Sequence, residues 1–107
     1  MAYDHGLADR VADALAQLGE RGARQKNVFG GRGFLIGKKT FVIVWGEGLI
    51  VKAPASHYAE LLGAPGVSAF APGGEKPMST WVVVKDSAVA DDPELVEWLR
   101  KGLEGIR

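Results

Sequence analysis

The 107-residue sequence contains no cysteine, which excludes disulfide bonds, thiolate metal ligands and a cysteine nucleophile. Its only two histidines, His5 and His57, lie far apart, whereas a zinc site needs three or four ligands at short spacings. We therefore expect no metal and no cofactor. The longest apolar run, Phe41 to Trp45, is far shorter than the ~20 residues that cross a bilayer. The acidic N-terminus is unlike a signal peptide, so we expect a cytoplasmic protein that does not contact a membrane.

The composition is that of an ordinary globular protein, with 47% hydrophobic and 24% charged residues. Length predicts a single domain over residues 1–107. The net charge is zero, but basic residues predominate between Arg21 and Lys52, and acidic residues predominate between Asp91 and Arg107. Such asymmetry is typical of a protein with one anion-facing side, although solvated charges on any domain give the same pattern.

Two segments have the apolar spacing of amphipathic helices. The first spans Tyr3 to Leu18, with Asp4 as a candidate N-cap. The second begins near Asp91, where a capping pair with Glu94 is expected, and continues to the C-terminus. A short third helix is predicted over residues 54–63, between a proline and a glycine.

The remaining apolar segments predict five strands, at residues 27–36, 40–45, 49–52, 67–70 and 78–85. The first three are joined by short glycine turns, which only antiparallel neighbours allow. We expect the strand at 78–85 to be central in the sheet or covered on both faces. The predicted fold is therefore α+β, in the order α-β-β-β-α-β-β-α. It has two layers, an antiparallel five-stranded sheet with helices packed on one face, and the other face is left to solvent or a partner.

The stretch "VFGGRGFLIGKK" is glycine-rich but does not match a phosphate-binding loop. A Walker A motif needs a glycine where Arg32 stands and a hydroxyl where Lys39 stands, and it precedes a helix rather than a strand. The dinucleotide fingerprint fails on its spacing as well. Gly37 instead predicts a tight turn, and the glycines from Gly30 to Gly33 predict a bulge or a close backbone approach within a strand.

The same stretch carries a family resemblance. A Phe-Gly-Gly followed by another aromatic residue, a short turn and an apolar strand resembles the N-terminal domain of the TfoX family of bacterial competence regulators. The likeness continues through "GLIVKAP", "HYAELLG", Phe70, "KPMSTWVVV" and "DDPELVEWLRKGLE", so it covers nearly the whole chain. Six residues match the family pattern: Phe29, Gly30, Gly31, Phe34, Met78 and Trp81.

The resemblance implies the same helix and strand order and a link to transcription regulation of DNA-uptake genes. It implies no catalytic residues, and the six matching residues are expected to determine the fold. Family members often carry a second, C-terminal domain. Because this chain ends at Arg107, where that domain would begin, we expect a stand-alone N-terminal domain.

Two functions are open to such a domain. The first is a non-enzymatic regulatory module that binds an unknown protein partner, or a second copy of itself, through the open sheet face or edge. The second is nucleic-acid binding by a basic patch around the first hairpin, formed by Arg24, Lys26, Arg32, Lys38 and Lys39. An enzyme is not expected, because no acid, base and nucleophile set occurs. The tryptophans at 45, 81 and 98 are expected in the core.

Overall fold

The computed structural model describes residues 3–72, 74 and 76–107. Three α-helices are present, α1 (His5–Gln17), α2 (Tyr58–Leu62) and α3 (Asp92–Gly105). The six strands are β1 (Ala23–Val28), β2 (Gly31–Ile36), β3 (Lys39–Trp45), β4 (Gly48–Lys52), β5 (Val67–Ala69) and β6 (Trp81–Val84). Single 3₁₀ turns at Ala55–His57 and Asp86–Val89 precede α2 and α3.

The strands form one sheet in the order β1-β2-β3-β4-β6-β5, and every neighbouring pair is antiparallel. The predicted α+β class and open antiparallel sheet are confirmed. The predicted five strands and their order are wrong, because the segment 27–36 is not one strand. The chain reverses at Phe29 and Gly30, so that Val28 pairs with Gly31. The fold therefore contains six strands, in the order α-β-β-β-β-α-β-β-α.

Three two-residue hairpin turns connect the first four strands. The turns after β2 and β3 begin with Gly37 (φ 62°) and Gly46 (φ 58°), so the turn predicted at Gly37 is confirmed. The turn after β1 begins instead with Phe29 (φ 53°), followed by Gly30 (φ 79°). Two successive positive φ angles define a type I′ turn, which favours Asn or Gly at its first central position.

A β-bulge occurs in β3. Phe34 pairs with Val42 but the next residue, Leu35, pairs with Thr40, so Phe41 is the extra residue. As a result Phe41 and Val42 both belong to the core on the helix side of the sheet, where each is fully buried. No bulge lies at the glycines from Gly30 to Gly33, where the sequence predicts a bulge or a close backbone approach; the alternative, a close approach, is found at Gly31, which lies against the Val44 carbonyl.

Helices α1 and α3 pack on one face of the sheet and enclose the main core. Asp4 caps α1 by accepting the Leu7 N–H at 3.1 Å, and Glu94 accepts the Asp91 N–H at 3.4 Å, so both predicted caps are confirmed. Glycine allows α3 to lie directly on the strands. A Cβ at Gly102 would come within 2.8 Å of the Phe41 carbonyl oxygen.

Strand β6 is shorter than the predicted strand at 78–85 and lies next to the sheet edge rather than at its centre. Val82 and Val84 face the helices and are fully buried. Trp81 and Val83 face the opposite side and are half-buried. The apolar composition of β6 thus reflects two apolar surfaces of the sheet, only one of which is covered by helices.

Candidate functional site

The sheet face opposite α1 and α3, here called the open face, carries a second apolar cluster. Its buried members are Ile43, Ile50 and Phe70, and the residues packed on them are Val28, Met78, Trp81 and Val83. Among the described residues, those that cover this face belong to the β5–β6 connection. That connection is fixed at its ends, where Phe70 donates its N–H to Trp81 (3.1 Å) and accepts from Met78 (2.7 Å).

Two large aromatic side chains on this face are exposed, Phe29 by 54% and Trp45 by 40%. Each meets the buried Phe70 ring edge-on, with centroids 5.6 Å and 5.8 Å away. Together they border an open groove of about 540 Å³, here called the aromatic groove, whose walls are Phe29, Trp45, Phe70, Pro72 and Val83 with the small residues Ala69, Ala71 and Gly74. Concave, aromatic-lined surfaces of this size are typical of ligand and peptide sites.

Phe29 is exposed and also has an unfavourable backbone conformation. A residue with a Cβ at φ 53° costs about 1 kcal/mol relative to glycine, the residue that begins the other two hairpins. Its ring remains more than half in water, so burial compensates only part of that cost. Backbone strain and exposed apolar surface are two separate indications of function, and they coincide at this residue.

Replacing Phe29 by asparagine is therefore expected to leave the fold intact. Asparagine suits the first position of a type I′ turn, and this gain offsets the loss of the contact with Phe70, which is worth about 0.5–1.5 kcal/mol. We expect the free energy of unfolding to change by less than about 1 kcal/mol, measured by urea denaturation. A loss above about 3 kcal/mol would instead identify Phe29 as a core residue.

The basic residues proposed for nucleic-acid binding lie on two sides of the sheet. Lys26 pairs with Gly33, which pairs with Ile43 of the open-face cluster, so Lys26 and Arg24 belong to the open face. Both line a depression of about 420 Å³ together with Lys38. Arg24 also donates to the Gly37 carbonyl at 2.7 Å.

Arg32 and Lys39 lie on the helix side. Arg32 pairs with the core residue Val44, and its guanidinium donates to the Tyr3 hydroxyl at 3.1 Å. The ammonium of Lys39 donates to the Ile106 carbonyl at the end of α3, at 3.3 Å. The structure thus brings together Arg24, Lys26 and Lys38 but separates them from the other two.

The charges of the sheet have one sign. None of the six described strands contains an aspartate or glutamate. On the open face, Arg24 and Lys26 are joined by Lys52, which pairs with Trp81 and holds its ammonium 5.8 Å from that ring and 3.0 Å from the Ser79 hydroxyl. The charged strand residues of the open face are therefore all cationic, while Glu47 and Asp86 lie outside the strands, in a depression beside Trp45 and Val83.

The six family-pattern residues occupy different environments. Phe34 is buried in the main core, while Met78 and Trp81 support the open-face cluster. Gly30 provides the second positive φ of the first turn, and Gly31 lies against the Val44 carbonyl with no space for a Cβ. Phe29 differs from Phe34, Met78 and Trp81 in that its large apolar side chain is mostly exposed.

Sequence reasoning missed Trp45. It was expected in the core, which is wrong, whereas Trp81 and Trp98 do pack against the two clusters. The available signal was alternation, since Trp45 lies two residues after Ile43, on the same face, and immediately before a glycine turn. A side chain at the end of a strand has fewer neighbours to cover it.

Another depression, of about 560 Å³, lies near the end of α3 and contains two arginines and two glutamates among its lining residues. Arg107 and Glu20 form an ion pair there at 2.9 Å. Within residues 3–72, 74 and 76–107, no three Asp, Glu or His side chains come together as a metal site requires. In the same part of the chain, no helix has the length and apolar character needed to cross a membrane.

The fold and site define a small α+β domain with one face closed by helices and the other bearing an exposed aromatic groove. The sequence profile of the TfoX N-terminal domain matches residues 13–106, nearly the whole chain. The chain belongs to the TfoX N-terminal domain family. Comparison with curated proteins and with solved structures gives no significant match.

Proposed function

We propose that this chain is a non-enzymatic regulatory domain that acts in the cytoplasm by binding a protein partner in its aromatic groove. Membership of the TfoX N-terminal domain family supports a role in transcription regulation, with competence as its context. The regulatory effect would arise from the complex formed at this docking surface.

The observation that best supports this proposal is the conformation and exposure of Phe29. A protein that needed only a stable hairpin would place glycine or asparagine at that position, as the turns beginning at Gly37 and Gly46 do. The combination of a strained backbone and an exposed ring beside Trp45 is explained when a partner covers both rings. Aromatic side chains of this kind contribute most of the binding energy at many protein interfaces.

A different protein is favoured over a second copy of this chain. In a symmetric dimer formed through the open face, each copy would bring Arg24, Lys26 and Lys52 against an equally cationic surface. Like charges across an interface oppose association. The partner is therefore expected to be a different chain with a complementary surface.

The test introduces Phe29→Asn into the chromosomal gene for this chain in its native cell. Transcript levels in this strain are then compared with those of the wild-type strain and of a strain in which the gene is deleted. We expect the variant strain to match the deletion strain, although the protein accumulates normally. Arg100→Gln on α3 is the control, because it changes the exposed helical layer without touching the open face, and it should leave transcripts at wild-type levels. A Phe29→Asn strain indistinguishable from wild type would refute the proposal, as would a deletion without effect on transcripts.

A further inference from the structure

We infer that the partner presents an extended, acidic segment: one apolar side chain binds in the aromatic groove, and carboxylates at alternate positions of the segment pair with Lys26 and Arg24. This inference rests on the proposed function and specifies the chemistry of the partner at the same site. It is carried by the juxtaposition of an apolar groove with a row of cations along the adjacent edge strand.

The row is set by the strand geometry of β1. Arg24, Lys26 and Val28 alternate along β1 and share the open face, at intervals of about 6.4–6.8 Å. Val28 packs on the open-face cluster, and the next residue is Phe29, which borders the groove. Side chains two residues apart in an extended partner segment repeat at the same interval, so an apolar anchor and two following carboxylates match this spacing.

Both cations have donors to spare. Arg24 uses one guanidinium nitrogen on the Gly37 carbonyl, and the remaining N–H groups stay available. Lys26 is exposed and forms no ion pair within the described part of the chain. Because the described strands contain no carboxylate, no strand side chain neutralises these two cations.

A nucleic acid is the other polyanion to consider. It needs a track of cations for successive phosphates and flat ring faces on which bases stack. Arg32 and Lys39 turn away from the open face, so the cations of the first hairpin form a short row rather than a track. Phe29 and Trp45 border a concave groove that fits a side chain. The arrangement favours an acidic peptide.

The experiment titrates the ¹⁵N-labelled full chain with synthetic peptides at low salt, following amide and tryptophan indole signals by NMR. The probe has the sequence Glu-Thr-Glu-Thr-Leu-Thr-Glu-Thr-Glu, which presents the pattern in both chain directions. Its counterparts replace every glutamate by glutamine, or the leucine by serine. We expect shifts confined to the open face, including the Trp45 indole, and about tenfold weaker binding of each counterpart.

Two double variants with equal charge change locate the contacts. Arg24→Gln with Lys26→Gln is expected to reduce affinity for the acidic peptide about tenfold and to leave affinity for the glutamine peptide unchanged. Arg100→Gln with Lys101→Gln, on α3, should leave both affinities unchanged. Phe29→Asn should remove binding of every peptide while the chain stays folded.

Three outcomes would overturn the inference: no binding of the acidic peptide, equal binding of the glutamine peptide, or tighter binding of an oligothymidylate of the same charge. The last outcome would make the open face a nucleic-acid surface. Any of the three, combined with altered transcripts in the Phe29→Asn strain, would leave the groove functional and reject only the acidic partner. Unaltered transcripts would reject the proposed function itself.

Discussion

Replacing Phe41 by alanine is expected to lower the free energy of unfolding by about 3–5 kcal/mol, a large share of the total for a domain of this size. Phe41 is fully buried, and as the extra residue of the β3 bulge it extends toward α3, where Gly102 lies against its carbonyl oxygen. The backbone contact prevents the helix from moving into the vacated space, so a cavity remains. Urea denaturation followed by circular dichroism measures the loss.

The matched comparison is Phe70→Ala, which removes an equally large and almost equally buried ring from the open face. Its neighbours Phe29 and Trp45 are partly exposed and free to settle into the space, and the cost of a truncation falls when a site can collapse. We expect a loss less than half that of Phe41→Ala. An equal or greater loss would mean that the open face is a second core, which would argue against its use as a docking surface.

The helices and their caps were predictable from the sequence because the information is local. Apolar spacing defined α1 and α3, and the side chains of Asp4 and Glu94 form the expected hydrogen bonds with the first turns. Short glycine turns likewise fixed the antiparallel pairing of β2, β3 and β4. These features depend on residues only a few positions apart.

The β1–β2 hairpin was not predictable in the same way. An aromatic residue beside a β-branched residue favours an extended strand, so the sequence predicts Phe29 within the strand at residues 27–36. It adopts a positive φ instead, with Gly30 providing the second half of the turn. The pairing of β1 with β2 stabilises the turn by more than the local conformational preference of Phe29 opposes it. This stabilisation depends on both strands, so the local sequence around Phe29 does not predict it.

The aromatic groove depends on contacts that are distant in sequence. Phe29 begins the turn after β1, Trp45 ends β3 and Phe70 follows β5, yet both exposed rings meet Phe70 within 6 Å. Alternation along β3 indicates which face Trp45 occupies, but the meeting of the three rings depends on the β5–β6 connection, which covers the open face. Similarly, the basic residues of the first hairpin are close in sequence and are divided by the two faces of the strands.

Gly31→Ala is expected to lower the free energy of unfolding by about 2–3 kcal/mol, which corresponds to a fall in Tm of roughly 10–20 °C. A Cβ at this position would run into the Val44 carbonyl oxygen and lie 3.1 Å from the Ile43 Cγ2. The obstacle is backbone, so β2 and β3 must separate to accommodate the methyl group. The second glycine of the Phe-Gly-Gly pattern is thereby assigned to close strand packing, whereas the first provides a turn conformation.

Gly22→Ala is the control that separates the steric effect expected at Gly31 from the effect that replacing any glycine has on stability. A Cβ at Gly22 meets nothing within 4 Å, and its φ is not positive, so the change should be neutral or stabilising by up to about 1 kcal/mol. Thermal unfolding of both variants at one pH and salt concentration gives the comparison. If Gly31→Ala were as stable as Gly22→Ala, β2 would have to be free to move away from β3. The position of Phe29 beside Phe70, and with it the aromatic groove, would then not be fixed by close packing of β2 on β3.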